Sequence, residues 1–292
     1  MTVPPALPSV GAVVLSMGNR PDDFPRALES LLRQRDVDLE VIVVGNGWEP
    51  AGIPAGVRTL ALPENVGIPE GRNVGARAVG GDLVFFLDDD AFLPDDDVLA
   101  RLAAVLDRDP RIALAQPRAV DPTGLPSPRR WVPRLRTGDP ARSSIATIVW
   151  EGVFLVRRAA FEAAGGWPGH FFYGHEGIDL AWRIWDRGYT GFYAADVLVN
   201  HPATNPTRHA VFYRMNARNR VWVAKRNLPW PLVGPYLAAW VALTVLRVRS
   251  PAALRAWFAG FREGIAGGYG ERRPMRWRTV VRMTLAGRPP IV

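Results

Sequence analysis

Two runs of three aspartates are the feature of this sequence most suggestive of chemistry. They lie seven positions apart in GGDLVFFLDDDAFLPDDDVLARL, residues 80–102, and the first run directly follows the apolar stretch from Leu83 to Leu87. Carboxylates this close raise one another's pKa and destabilise a fold unless a cation or hydrogen-bond donors offset the repulsion. Each run therefore needs a physical reason for its place in the chain.

The second run is typical of the start of a helix. Asp95, Asp96 and Asp97 follow Pro94 and precede a helical pattern that begins at Val98. Acidic residues at such a position bind free backbone N–H groups and complement the helix dipole.

The first run predicts a metal site. Residues i and i+2 of an extended segment face the same side, so Asp88 and Asp90 converge on one point. Such a pair is common in solvated loops, but this one lies at the carboxyl end of a predicted strand, where open α/β sheets bind ligands. Mg²⁺ and Mn²⁺ prefer oxygen ligands of this kind, usually together with substrate phosphates.

The first half of the chain alternates strand and helix patterns. Short β-branched runs such as VGAVVLSMG, LEVIVVGN and DLVFFLD are separated by helical patterns in FPRALESLLRQ and around residues 72–79. This alternation predicts βαβ units, and hence an α/β fold with a doubly wound, mostly parallel sheet flanked by helices.

The second half continues with more irregular patterns. Residues 117–144, rich in Pro and Arg, show neither period and predict a long, mobile surface loop of the kind that covers active sites. HEGIDLAWRIWDRG predicts a helix with Glu176 and Asp179 at its start, and FYAADVLVNHP predicts a strand that closes at His201.

The composition excludes several classes of protein. With 48% hydrophobic and 22% charged residues the chain is typical of a globular protein. The absence of cysteine excludes disulfides, zinc–thiolate sites and thiol nucleophiles. MTVPPALPSV lacks the basic and apolar regions of a signal peptide, so we expect a cytoplasmic protein.

Charge is distributed unevenly along the chain. Residues 1–200 carry 20 Arg against 26 acidic residues, whereas residues 201–292 carry 16 Lys and Arg against two Glu, a net charge of +14. Tryptophans interleaved with these arginines, and the uncharged residues 228–246, favour an anionic membrane surface over nucleic acid as the partner. Prolines leave only residues 236–246 as clean helix, too short to cross a membrane, so we expect helices on its inner face. Packing on the catalytic domain as ordinary core is the alternative.

The order of the polar clusters resembles the family-2 glycosyltransferases of the GT-A fold, closest in appearance to bacterial rhamnosyltransferase-like members. The resemblance covers residues 10 to about 220 and rests on VVLSMGNRPDDFPRALESLLRQ, LEVIVVGNG, ENVGIPEGRNVGARAVGGDLVFFLDDD and FLVRRAAFEAAGGWPGHFFYGHEGIDLAWRIWDRGY. It implies a GT-A catalytic domain over residues 1–205, with a nucleotide-sugar half at 1–90 and an acceptor half at 91–205. A helical, basic, membrane-associating extension would occupy residues 206–292.

The resemblance also implies roles for particular residues. Mg²⁺ or Mn²⁺ would be held by Asp88, Asp90 and His201, although a plain structural hydrogen bond is the alternative for the histidine. The UDP-, dTDP- or GDP-sugar donor would be bound by residues after the first, second and fourth strands and in the Gly-rich loop between them: Ser16, Asn19, Arg20, Asn46, Asn65, Gly67, Arg72, Asn73 and Asp89.

Two positions depart from the family pattern. Gly45 stands where many members carry a base-recognising aspartate, and Gly177 stands where the second acid of the base motif is the usual general base. We therefore expect Glu176 to act as the base, with Asp179 as a helper or helix-orienting group. Capping of the helix is the alternative for both.

The function implied is metal-dependent, inverting transfer of a hexosyl or deoxyhexosyl group to a glycan or lipid-linked acceptor in cell-envelope polysaccharide synthesis, on the inner face of the membrane. A non-catalytic sugar-nucleotide-binding or scaffold protein is the alternative, suggested by Gly45 and Gly177. A nucleotidyltransferase is a weaker alternative, since Lys225 is the only lysine available to hold a triphosphate.

Overall fold

Alternating strands and helices build a single large sheet followed by a helical segment. The structure, a computed structural model, describes residues 6–203 and 210–290. The predicted boundary between residues 205 and 206 lies outside these described residues. The strands are β1 Ser9–Ser16, β2 Asp38–Asn46, β3 Arg58–Leu62, β4 Leu83–Asp88, β5 Ile112–Val120, β6 Ser144–Ala146, β7 Val153–Arg157 and β8 Thr190–Asn200. The helices are α1 Asp23–Leu32, α2 Ile68–Ala78, α3 Val98–Asp107, α4 Arg158–Ala163, α5 Glu176–Asp186, α6 Ala210–Asn227, α7 Trp230–Arg247, α8 Pro251–Ala266 and α9 Trp277–Leu285.

The sheet is mostly parallel, as the alternating pattern predicts. Its strand order is β3-β2-β1-β4-β7-β5-β8-β6. Strands β1 to β4 pair in parallel, β5 pairs in parallel with β8, and only β6 and β7 run antiparallel to their neighbours. The predicted fold class is confirmed.

Both faces of the sheet are buried, which explains why its central strands read as continuous apolar runs. On β1, Ala12 and Val14 pack into one core cluster with α1 and α3. The intervening Val13 points to the opposite face and packs with residues of α2, α4 and α5. Successive side chains of a strand alternate between faces, so one apolar strand serves both cores.

The parallel register brings distant polar residues to one edge. Leu15 of β1 pairs with Asp88 of β4, and Ser16 pairs with Gly45 of β2. Beyond these strands, Phe92 and Asn200 exchange backbone hydrogen bonds of 2.9 Å in both directions. The end of β8 is thereby fastened next to the first aspartate run.

The segment predicted as a long irregular loop is partly ordered into strands. Strand β5 continues through Val120 and β6 begins at Ser144, so the prediction of no strand over residues 117–144 is wrong at both ends. Inside the segment a short 3₁₀ turn, Arg129–Trp131, buries its tryptophan. Proline inside β5 and the shortness of β6 masked the strand period in the sequence.

Helices α6 to α9 pack against the sheet domain through a core of their own. Phe171, Trp182 and Trp185 share this cluster with Trp222 of α6 and Tyr236 of α7. The alternative of ordinary core packing therefore holds for part of residues 228–246, including Val233, Tyr236 and Leu237. Within the described residues, no helix is sufficiently long and apolar to traverse a bilayer.

Helix α7 is longer than its prolines predict. It begins at Trp230 rather than Tyr236 and includes both Pro231 and Pro235. Pro231 lies in the first turn, where backbone N–H groups lack helical partners in any case, so its missing donor costs little.

Candidate active site

Two carboxylates and an imidazole meet at the carboxyl edge of the sheet. Asp88, Asp90 and His201 each offer a ligand atom, and these atoms lie within 4.8 Å of one another. His201 Nε2 is 3.1 Å from an Asp90 oxygen and 3.5 Å from an Asp88 oxygen. Mixed oxygen and nitrogen donors at this spacing fit a divalent cation.

The imidazole is held in a fixed orientation. His201 Nδ1 lies 2.8 Å from the Pro202 carbonyl oxygen, which leaves Nε2 facing the aspartates. The rings of Trp131 and Trp150 stand edge-on to the imidazole, at 5.3 and 5.0 Å. Buried Gln116 connects these tryptophans, since its amide donates to the Trp131 carbonyl and accepts from the Trp150 N–H. Such support fixes the geometry of a ligand.

A proton on His201 and a cation would compete for the same place between the imidazole and the aspartates. Burial disfavours the imidazolium, but hydrogen bonds to Asp88 and Asp90 and their charges raise the pKa of His201 to about 10. The same nitrogen and oxygens would hold a metal once that proton is displaced. The residues present therefore fit the predicted Mg²⁺ or Mn²⁺ site.

Two arginines neutralise the aspartate run. Buried Arg72 forms an ion pair with Asp88, and Arg20 contacts Asp89 at 3.2 Å and Asp90 at 2.9 Å. Burial opposes ionisation of Asp88, but Arg72 and His201 outweigh it and lower the pKa of that carboxyl. Burial and the neighbouring carboxylates raise the pKa of Asp89 to about 6. The hydrogen bond from Ser16 acts in the opposite direction but is outweighed.

Several residues predicted to bind the nucleotide lie after β1 and β2. The Ser16 hydroxyl donates to Asp89 at 2.7 Å, and Asn19 is exposed beside it. The Asn46 amide donates to the Asn65 side chain at 2.9 Å, and Asn65 in turn accepts from the Gly67 N–H. A groove lies next to Asn46 and is lined by Gly47, Trp48, Glu49, Ala61, Leu62 and Pro63.

Asn73 lies in α2 rather than in a loop, and its side chain contacts the protein. Its amide donates to the Trp167 carbonyl at 3.0 Å and to Glu70 at 3.1 Å, and its oxygen accepts from the Trp167 N–H. These contacts join α2 to the segment before α5. They occupy the side-chain atoms that the prediction assigned to the donor.

A second pair of carboxyl groups lies at the start of α5. Glu176 is 2% exposed, and its Oε2 atom has no hydrogen-bond partner among the described residues. Burial raises the pKa of Glu176 to about 8, and the charge of nearby Glu151 adds to the shift. Glu151 is only half-buried, and it accepts a hydrogen bond from the Gly177 N–H at 3.0 Å.

Asp179 is buried within an ion-paired network. It contacts Arg183 of its own helix, Arg226 of α6 at 2.9 Å and the Asn227 amide at 2.6 Å. Burial opposes its ionisation, but the two arginines outweigh burial and lower the pKa of Asp179. The geometry favours the helix-orienting role over that of a helper in proton transfer.

A family model described as glycosyl transferase family 2 matches residues 12–165, which is more than half of the chain. The chain belongs to glycosyl transferase family 2. The resemblance seen in the motifs is thereby confirmed. An uncharacterized glycosyltransferase of Haemophilus influenzae (strain ATCC 51907 / DSM 11121 / KW20 / Rd) is 32% identical over 107 residues, 35% of this chain and 36% of that protein. The chain therefore spans about a third of the curated relative that it matches.

Solved structures share the fold at low identity. GalNAc-T7 with UDP, GalNAc and Mn²⁺ has a TM-score of 0.65 at 14% identity, covering 98% of this chain and 58% of that one. The mannosyltransferase PcManGT from Pyrobaculum calidifontis, with GDP-Man and Mn²⁺, has a TM-score of 0.57 at 19% identity, covering 96% and 79%. S. aureus TarS 1-349 with UDP-GlcNAc has a TM-score of 0.61 at 14% identity, covering 88% and 80%. These likenesses confirm the GT-A fold.

Some residues of this family-2 glycosyltransferase site were not assigned from the sequence. The pairing of Arg72 with Asp88 and the Trp131 and Trp150 walls of the imidazole were missed, because all depend on contacts distant in the chain. Glu151 is not among the residues assigned from the sequence either. Glu151 lies two residues before the buried strand β7, and the antiparallel direction of β7 brings its start to the edge of the sheet where β4 ends.

Proposed function

We propose that the protein is a metal-dependent, inverting glycosyltransferase that moves a sugar from a nucleotide sugar to a glycan or lipid-linked acceptor in cell-envelope polysaccharide synthesis. The observation that carries this proposal is the meeting of Asp88, Asp90 and His201 at the carboxyl edge of a parallel sheet. This edge is where sheets of this type bind their ligands.

The donor lies along the ends of β1, β2 and β4 in this proposal. Its base enters the groove beside Asn46, which the loop containing Asn65 and Gly67 borders. Ser16, Asn19 and Asp89 follow β1 and β4 and face the ribose and diphosphate. Arg20 and Arg72 bring positive charge to the phosphates. Arg72 is held in place by its ion pair with Asp88. Asn73 supports α2 through its hydrogen bond to the Trp167 carbonyl.

Asp88, Asp90 and His201 hold the divalent cation, which stabilises the charge of the diphosphate leaving group when bound. The mixed set of carboxylates and imidazole favours Mn²⁺ over Mg²⁺, because Mg²⁺ is usually held by oxygen ligands alone. The carboxyl pair Glu151 and Glu176 accepts the proton of the acceptor hydroxyl, whose oxygen attacks the anomeric carbon from the side opposite the diphosphate. Asp179 positions helix α5 through its ion pairs.

The lipid-linked acceptor is reached through peripheral binding to the inner face of the membrane. Helix α9 supports this part of the proposal, because Trp277, Val281 and Leu285 recur every fourth residue and are all exposed. Exposed arginines surround the helical segment at positions 247, 249, 255, 262 and 278. An apolar stripe with basic neighbours is typical of helices that lie on anionic lipid.

The experiment is a thermal-shift panel of UDP-, dTDP- and GDP-sugars with and without Mn²⁺, followed by an assay of nucleoside diphosphate release. A donor at about 100 times its Kd stabilises the protein by about 2.7 kcal/mol, which is a shift of several degrees. We expect one nucleotide class to shift Tm only with the metal and then to be turned over. Binding without release of nucleoside diphosphate would favour the scaffold alternative.

A further inference from the structure

Gly177 makes room for a side chain that comes from another part of the chain. A Cβ atom on Gly177 would lie 2.5 Å from the Val149 carbonyl oxygen, 2.8 Å from Glu151 Cγ and 2.9 Å from Glu151 Cδ. The backbone of Gly177 is ordinary helix, so no positive φ requires glycine there. The space beside position 177 is instead filled by the carboxyl end of Glu151.

Glu151 is held at the first turn of α5. Its Oε1 atom accepts the Gly177 N–H at 3.0 Å, an N–H with no partner inside the helix. The partial positive charge of a helix N-terminus favours the ionised form of a carboxyl group bound there. The carboxylate therefore occupies the start of α5 without being carried by that helix.

Glu151 is also next to the metal strand. The following residue, Gly152, accepts the Asp88 N–H at 3.0 Å, and a Cβ on Gly152 would meet an Asp88 oxygen at 2.8 Å. Glu151 is half-buried, whereas Glu176 is almost completely enclosed. Of the two residues, Glu151 is the more exposed.

We propose, on the basis of the proposed function, that Glu151 is the general base and that Glu176 is the positioning residue behind it. As the acceptor oxygen bonds to the anomeric carbon, its proton passes to the Glu151 carboxylate. The bond from that carbon to the diphosphate oxygen breaks, and its electron pair leaves with the nucleoside diphosphate. Gly177 itself carries no carboxylate, and in this proposal Glu151 supplies the carboxylate in its place.

The proton balance of the pair agrees with this assignment. Burial raises the pKa of both carboxyl groups, and hydrogen bonding to the Gly177 N–H opposes the shift for Glu151. Like charges this close disfavour ionisation of both carboxyl groups at once. In the proposed assignment Glu176 carries the shared proton, and the Gly177 N–H stabilises the carboxylate of Glu151.

The test compares Glu151→Gln with Glu176→Gln, using the nucleotide sugar selected in the Mn²⁺ panel. Release of nucleoside diphosphate is measured with water as acceptor and again with sodium azide, an anion that needs no deprotonation. We expect Glu151→Gln to lower release to water by about 10²- to 10⁴-fold, the usual worth of general-base help, and azide to restore it. Glu176→Gln should lower release less than Glu151→Gln does and should gain nothing from azide, because glutamine resembles the neutral carboxylic acid that the proposal assigns to Glu176.

Several results would overturn the assignment. A larger, azide-rescued loss in Glu176→Gln would make Glu176 the base and leave the proposed function intact. A loss in Glu151→Gln that azide does not restore, with donor binding retained, would show a structural role. If Glu151→Gln does not fold, Glu151→Asp serves instead, since a carboxylate withdrawn by one methylene should slow transfer; an unchanged rate would contradict the proposal. Full activity of Asp88→Asn and Asp90→Asn in EDTA would instead refute the proposed function itself.

Discussion

The two aspartate runs show how place in the fold gives identical residues different chemistry. Asp88 and Asp90 end a central strand and meet a histidine that lies 111 positions beyond the second of them in the chain. Asp96 of the other run is exposed and pairs with Arg33 and Arg35 at the surface. The first run lies in a partly buried site and pairs with Arg20 and Arg72, whereas the second run lies at the surface just before α3.

Substitution of the aspartates should separate these roles. We expect Asp88→Asn and Asp90→Asn each to lower Mn²⁺-dependent transfer by at least about 100-fold, because metal stabilisation of a leaving group is worth several kcal/mol. Asp96→Asn is the matched control and should change stability by about 1 kcal/mol or less, since its ion pairs are exposed. Initial rates with and without EDTA measure the difference. Equal rates for Asp90→Asn and Asp96→Asn would contradict the metal assignment.

Glu176 should make stability fall as pH rises. Its ordinary pKa of 4.5 applies to the unfolded chain, and the folded value is about 8. Below about pH 4.5 both states are protonated and the stabilisation is complete. Between these values only the unfolded chain ionises, so the contribution is lost progressively, by about 1.4 kcal/mol for each unit of pKa difference.

Urea unfolding of the wild type and Glu176→Gln at several pH values between 5 and about 9 tests this linkage. Because glutamine does not titrate, the variant should gain stability relative to the wild type as pH rises toward 8. A difference that stays constant would show that the folded carboxyl has an ordinary pKa, and a change in the opposite direction would show that its pKa is lowered.

At the scale of elements, helix α6 supports the loop that leads into α5. The Asn219 amide donates to the carbonyl oxygens of Phe171, Tyr173 and Gly174. The same loop holds Phe172 and His175 at φ values of 66° and 70°, in a region that L-residues adopt at a cost. Contacts from outside the catalytic sheet thus maintain the approach to Glu176.

Asn219→Ala should loosen this loop. Unsatisfied buried carbonyl groups cost about 1–3 kcal/mol in total stability, and misplacement of the α5 start should reduce transfer more than donor binding. Asn216→Ala is the control on the same helix, since the Asn216 amide donates to the Phe212 carbonyl of its own helix. Unfolding midpoints and kcat are compared. If both variants behave alike, α6 has no special role in holding the loop.

At the scale of the whole molecule, the structure revises the meaning of the basic C-terminal segment. Several of its arginines make contacts within the protein: Arg226 binds Asp179, Arg272 binds the Leu228 carbonyl, and Arg282 binds the Trp185 carbonyl. Trp222 and Trp257 are buried, so they cannot enter a headgroup layer. The surface offered to lipid is smaller than the sequence charge indicates.

Membrane binding should therefore depend on the exposed stripe of α9. Leu285→Gln should weaken co-sedimentation with vesicles of phosphatidylglycerol and phosphatidylethanolamine at low salt by about tenfold, because one large apolar side chain contributes about 1.5 kcal/mol or more. Leu125→Gln changes an equally apolar, exposed residue of the sheet domain and should have no effect. Truncation is a poor test, since it removes partners of Asp179. Equal binding of both variants, or no binding of the wild type, would refute lipid association through α9.

The sequence by itself determined that the sheet is mostly parallel and that an aspartate site lies at its edge. These features depend on short patterns, because strand and helix periods and the residues that end a strand are local properties. The antiparallel β7, the packing of one side of α7 against the catalytic domain and the placement of Asn73 were decided only by tertiary structure, since each depends on partners far along the chain. The same is true of Glu151. No local pattern could reveal that its carboxyl fills the space left by Gly177, because 26 positions separate the two residues and only the packing of α5 against the start of β7 brings them together.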